Sequence, residues 1–159
     1  MMNGQKKMQG GFTLIEILVV IGIIAILAAI VIIAINPARQ FAQARNSQRI
    51  SNLNTILNAI GQDLADNKGI FTCTGIGTAI GSPTASTTIG TAAGNSNLES
   101  CLTPTYIAAG IPIDPIGGTP ADTLYQVSVN AMGRYMVCAP NSAETAISSP
   151  PPAVLCVVR

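Results

Sequence analysis

The sequence has 159 residues, 48% of them hydrophobic and only 9% charged, with a formal net charge of +1. That length holds one domain and one membrane segment. The composition fits neither a disordered chain nor an ordinary soluble enzyme, and the charge leaves no electrostatic footprint for nucleic acid. Histidine is absent, which removes the commonest general base and the commonest metal ligand at neutral pH. There is also no carboxylate pair at useful spacing, no G-x-S-x-G and no P-loop, so no catalytic residue, cofactor or metal is expected. The four cysteines are widely spaced without a C-x-x-C pair, a pattern of disulfides formed in an oxidising compartment.

The first element in chain order is an apolar run. From Ile17 to Ile35 every residue is apolar, counting Gly22, and 14 of them are Ile, Leu or Val. These favour membrane insertion by roughly 4 to 8 kcal/mol, whereas Glu16 at the edge opposes it by at most about 3 kcal/mol. A membrane-spanning helix follows. Gly22, Ala25 and Ala29 share one face of it, where small side chains let helix backbones approach. Lys6 and Lys7 precede the run, and Arg39, Arg45 and Arg49 follow it, so basic residues alone do not orient it. The cysteines do: the chain beyond residue 70 is expected to mature outside the cytoplasm. A conventional secretory signal fits poorly, because the run is too long for an h-region and no A-x-A-like site follows.

The residues before the run carry the most specific signal. Gly11-Phe12-Thr13-Leu14-Ile15-Glu16, followed by Ile17-Leu18-Val19-Val20-Ile21, resembles the class III signal of type IV prepilins and type II secretion pseudopilins. The resemblance covers roughly residues 1–35. It implies cleavage between Gly11 and Phe12 by a membrane prepilin peptidase and N-methylation of Phe12. Loss of Lys6 and Lys7 with the leader turns the net charge of +1 into −1. Glu16, an ionisable group at the edge of an apolar helix, needs a partner. The resemblance supplies one in the new amino group of Phe12 on a neighbouring subunit, where two buried charges would need each other.

After Asn36-Pro37 the pattern becomes polar but stays helical. Phe41, Ile50, Leu53, Leu57, Ile60 and Leu64 recur mostly at three- and four-residue steps, with Arg45, Arg49, Asn52 and Gln62 expected on other faces. Pro37 is expected to kink or loosen the helix, and Gly69 to stop it. A continuous helix from Phe12 to Asn67 would span roughly 84 Å. Residues 70–100, rich in Gly, Thr, Ser and Ala, read as a surface loop, and 102–110 as a short helical turn.

Ile111-Pro112-Ile113-Asp114-Pro115-Ile116-Gly117-Gly118 is turn-rich and loosely resembles the P-x-D-P-x-G segment of the major type II pseudopilin. Calcium can sit near that segment in the group, but Asp114 and Asp122 are too few carboxylates to support a metal.

Leu124–Val129, Arg134–Ala139 and Ala153–Val158 read as strands, with Tyr125, Val127 and Val129 inward and Gln126 and Ser128 outward. Cys138 and Cys156 fall on the face away from the core side. A Cys138–Cys156 bridge would close the C-terminal loop that pilins commonly close this way, leaving Cys73 and Cys101 to staple the long loop. Four cysteines allow three pairings.

The expected architecture is α+β: a long N-terminal helix, half transmembrane and half amphipathic, packed on a small antiparallel sheet in the type IV pilin manner. Its parts are a leader (1–11), a transmembrane and assembly helix (12–36), the amphipathic half (37–68), a connecting region (69–122) and the sheet with its C-terminal loop (123–159). The resemblance implies a structural filament subunit whose partners are like subunits, prepilin peptidase, an inner-membrane assembly platform and, before assembly, lipid. It would be a single-pass inner-membrane protein first, then part of an extracellular pilus or periplasmic pseudopilus. The Thr/Ser-rich loop and the cysteines favour a pilus, while Asp114-Pro115 favours a pseudopilus. An anchored binding domain that never polymerises is the third alternative.

Overall fold

The computed structural model describes residues 11–73, 86–130, 132–148 and 150–159; the expected leader with Lys6 and Lys7 and part of the expected loop lie outside these residues. The chain divides near Pro37 into two units, Met1–Pro37 and Ala38–Arg159.

The first unit contains α1, Leu14–Ala34. Its 21 residues reach about 32 Å, enough to cross the roughly 30 Å apolar core of a bilayer. None of its residues is buried, which is the state of an apolar helix whose proper surroundings are lipid or other helices. The helix ends because Ile35 turns to extended backbone (φ −98°, ψ 124°). Pro37 then opens α2, Pro37–Asp66. A proline cannot continue a helix but is well suited to begin one, where its missing N–H would be unsatisfied anyway. The helix is therefore interrupted at Ile35-Asn36 rather than kinked within one continuous element.

The second unit is α2 with a four-stranded antiparallel sheet in the order β1-β2-β3-β4. The strands are β1 Thr87–Thr88, β2 Gln126–Val129, β3 Tyr135–Ala139 and β4 Leu155–Val158, and a short α3 spans Glu99–Leu102. Leu53, Ile56, Leu57 and Ile60 of α2 form one core with Tyr125, Val127, Val137 and Ala139 of the sheet region and with Ile89, Leu98 and Leu102 of the connection. Lys68 and Gly69 carry positive φ, and the Gly69 N–H bonds back to the Leu64 carbonyl at 2.7 Å, closing the helix end.

Several expectations shift. Phe41 and Ile50 are exposed, 65% and 43%, while Ala42 and Arg49 occupy the buried positions of that face. A hydrophobic period places charges in solvent, but counter-charges from other elements allow Arg49 inside. Helical structure lies at Glu99–Leu102 and not over 102–110, where the chain passes into turns. The expected surface loop contains β1, whose two threonines pair with Val127 and Gln126; two residues are too few to show a period. Ser128 is buried and Val129 only partly so, the reverse of the expected alternation. β2 begins at Gln126 because Leu124 sits in the left-handed region (φ +61°), with its N–H held by Asp122 Oδ1 at 2.9 Å. β4 begins at Leu155, whose N–H is taken by Ser142 Oγ at 2.7 Å.

Candidate processing and assembly site

The motif residues stand at the start of α1. Thr13 is the N-cap, with extended backbone, and its hydroxyl accepts from the Glu16 N–H at 3.3 Å. Glu16 answers with Oε2, which accepts from the Thr13 N–H at 3.0 Å and from the Thr13 hydroxyl at 2.9 Å. This reciprocal pair satisfies donors that a helix N-terminus otherwise leaves open, and an acidic side chain there also meets the positive end of the helix dipole. The T-x-x-E spacing that makes the capping box stands in the sequence itself. Phe12, one residue before the cap, is 84% exposed, and Gly11 is exposed with no atom near the place a Cβ would occupy. The carboxylate of Glu16 is tied to the residue that follows Phe12.

The second unit holds a charge cluster that sequence reasoning missed. Arg49, fully buried on α2, sends Nε to Asp114 Oδ2 at 2.7 Å and Nη2 to Asp114 Oδ1 at 3.0 Å. Its Nη1 reaches Asn46 Oδ1 at 2.8 Å and Glu144 Oε1 at 2.5 Å. Arg45, one turn earlier, forks onto the same Glu144 through Nε (3.0 Å) and through Nη2 to Oε2. Between them the two guanidiniums hold carboxylates from two separate loops, Arg49 bidentate on Asp114 and Arg45 bidentate on Glu144, the geometry that suits arginine. Burial works against the Arg49 charge, but Asp114 and Glu144 outweigh it and raise its pKa. The hydrogen bond from Arg45, helped by Arg49, lowers the Glu144 pKa to about 2 against the opposing effect of burial.

Local turns aim these carboxylates. Asp114 Oδ1 also accepts the Ile116 N–H at 2.8 Å, and Gly117 adopts φ +80°. Gly118 packs so closely that a Cβ there would lie 2.5 Å from the Asp114 nitrogen. The turn-rich Ile111–Gly118 segment is therefore a bracket that delivers Asp114 to Arg49. The Asp122 carboxylate is used locally, on the Leu124 N–H. On the other side, the loop after β3 is held to α2 by the Asn46 side chain on the Ser142 carbonyl at 2.9 Å, beside Glu144. The one signal for this cluster is scarcity: in a chain with 8 basic and 7 acidic residues, two arginines one helical turn apart stand out.

The cysteines are joined as Cys73–Cys101 and Cys138–Cys156, with Cα separations of 5.5 and 4.1 Å. The second pair links directly opposed residues of β3 and β4. No group of three or more potential metal ligands occurs among the described residues.

The family model described as the prokaryotic N-terminal methylation motif matches residues 6–34. The chain thus carries the class III signal peptide found in type IV pilins and pseudopilins. No curated protein and no solved structure matches it. The motif is that of structural, membrane-anchored, pilin-type proteins. The α+β arrangement of an apolar N-terminal helix and a small antiparallel sheet is consistent with the pilin fold.

Proposed function

We propose that the chain is a structural subunit of a type IV pilus or pilus-like filament. In this reading prepilin peptidase cuts between Gly11 and Phe12, Phe12 is N-methylated, and the mature chain waits as a single-pass inner-membrane protein. An assembly platform then moves it into a helical polymer with identical or related subunits. The observation that carries the reading is the methylation motif running directly into a 21-residue apolar helix with no buried residue. Such a surface needs lipid first and like helices afterwards.

Polymerisation exchanges lipid for neighbouring α1 helices, and Glu16 would meet the Phe12 amine of a neighbour as the one strong polar contact in an apolar core. A charge buried with its partner is tolerable, and one left alone is costly, so the pair sets the register. The test is Glu16→Ala in cells that make the filament. The expected result is a membrane pool of normal size and a loss of surface filaments; normal assembly would refute the role.

A pseudopilin of a type II secretion system is the second reading, favoured by the Ile111–Gly118 segment. The two differ in where the filament ends, outside the cell or in the periplasm, which shearing of whole cells separates.

A further inference from the structure

The two disulfides meet different surroundings. Cys73 is 8% exposed and belongs to the core, and Cys101, partly buried, packs against it. Cys138 and Cys156 lie on the other face of the sheet from Val137, and Cys156 is exposed. The Arg159 N–H donates to the Tyr135 carbonyl at 2.9 Å. That hydrogen bond fixes the ladder phase, so Cys138 and Cys156 fall at a non-hydrogen-bonded pair, where side chains stand closest. Beside the bridge is an open groove of about 320 Å³ lined by Ser86, Gln126, Met136, Pro140 and Val154 with the two cysteines, none of them charged.

We propose that Cys138–Cys156 is a thiol-exchange site, open to a dithiol through this groove, while Cys73–Cys101, with one sulfur in the core, exchanges more slowly in the folded chain. Exchange needs a thiolate to approach a disulfide sulfur, so access decides which bridge reacts. The thiolate of the dithiol attacks Cys156 Sγ, a mixed disulfide forms, and Cys138 leaves as a thiolate that takes a proton. The second thiol of the reagent then attacks the mixed disulfide and releases Cys156. The protein bridge gains two electrons and two protons, and the dithiol becomes a disulfide.

The site has a structural consequence because its loop contains Ser142 and Glu144. After exchange that loop is no longer closed covalently, but it stays docked on α2 through Asn46, Arg45 and Arg49. The bridge and the ion pairs are two independent fastenings of one loop, so the reduced chain keeps its fold.

The test uses the full-length protein in detergent micelles, treated with dithiothreitol at pH 8, quenched with iodoacetamide and mapped by mass spectrometry. Cys138 and Cys156 are expected to become alkylated at least ~10-fold faster than Cys73 and Cys101, since rate follows access. The near-UV tyrosine signal is expected to persist while only the first pair is open. Val154→Trp, which fills the groove at an exposed position, is expected to slow the first pair and leave the second unchanged. Equal rates for the two pairs, prior reaction of Cys73–Cys101, reduction only with loss of the tyrosine signal, or an unslowed first pair in Val154→Trp would each overturn the proposal.

Discussion

Replacing Arg49 by Met removes the cation from the centre of the second unit and keeps most of the side-chain volume. Arg49 and Asp114 have side chains with 0% exposure, and their two hydrogen bonds run at 2.7 and 3.0 Å. Glu144, with 13% side-chain exposure, keeps Arg45 after the substitution, so the cost falls mainly on Asp114. A buried charge stripped of its partner typically costs about 3 to 5 kcal/mol. For a unit of this size that corresponds to roughly 10 to 20 °C in Tm. Asp114→Asn in the same chain removes the stranded charge while preserving shape and the Ile116 contact, so the double variant should recover on the order of 2 kcal/mol. The probe is favourable because the chain has three tyrosines and no tryptophan, and Tyr106, Tyr125 and Tyr135 all lie in the second unit. Tyrosine fluorescence or near-UV circular dichroism in detergent therefore reports this unit without α1. A Tm within about 3 °C of the parent for Arg49→Met, or a double variant as unstable as the single one, would refute the account of the cluster.

Three further outcomes follow from the same geometry. Glu144 has its pKa lowered to about 2 by Arg45 and Arg49, below its unfolded value near 4.5. Its contribution, on the order of 2 kcal/mol, is therefore complete above pH 4.5 and lost as pH falls towards 2. Urea midpoints at pH 6 and pH 3 should differ more in the parent than in Glu144→Gln, and equal differences would contradict the assignment. Gly118→Ala pushes a methyl against the Asp114 backbone and should destabilise by about 1 to 3 kcal/mol, seen as a lowered urea midpoint. Shaving the exposed Ile116 to Ala beside it is expected to change that midpoint little, within ~0.5 kcal/mol.

Legibility in the sequence followed how local each cause was. The apolar run and the G-F-T-L-I-E segment declare themselves within a few residues, and the alternation around Tyr125–Val127 and Tyr135–Ala139 shows in a single strand's length. The break at Ile35-Asn36 was only half visible: Pro37 announced a disturbance, but whether a proline kinks one helix or starts another depends on the residue before it. Arg49 was misplaced because a hydrophobic period assigns every charge to solvent, and its partners lie 65 and 95 residues away in sequence. Thr87–Thr88 pairs across the sheet through backbone groups, which no side-chain pattern records. The Thr13–Glu16 box needed only attention to capping, for its two residues are three apart.

The central claim is that this chain is cut, methylated and built into a filament, and its most direct test is the intact mass and N-terminal sequence of the mature protein from its own membrane or sheared surface fraction. The account predicts a chain that begins with N-methylated Phe12 and carries four oxidised cysteines. A chain that retains Met1, or one cut after the apolar run, would contradict it.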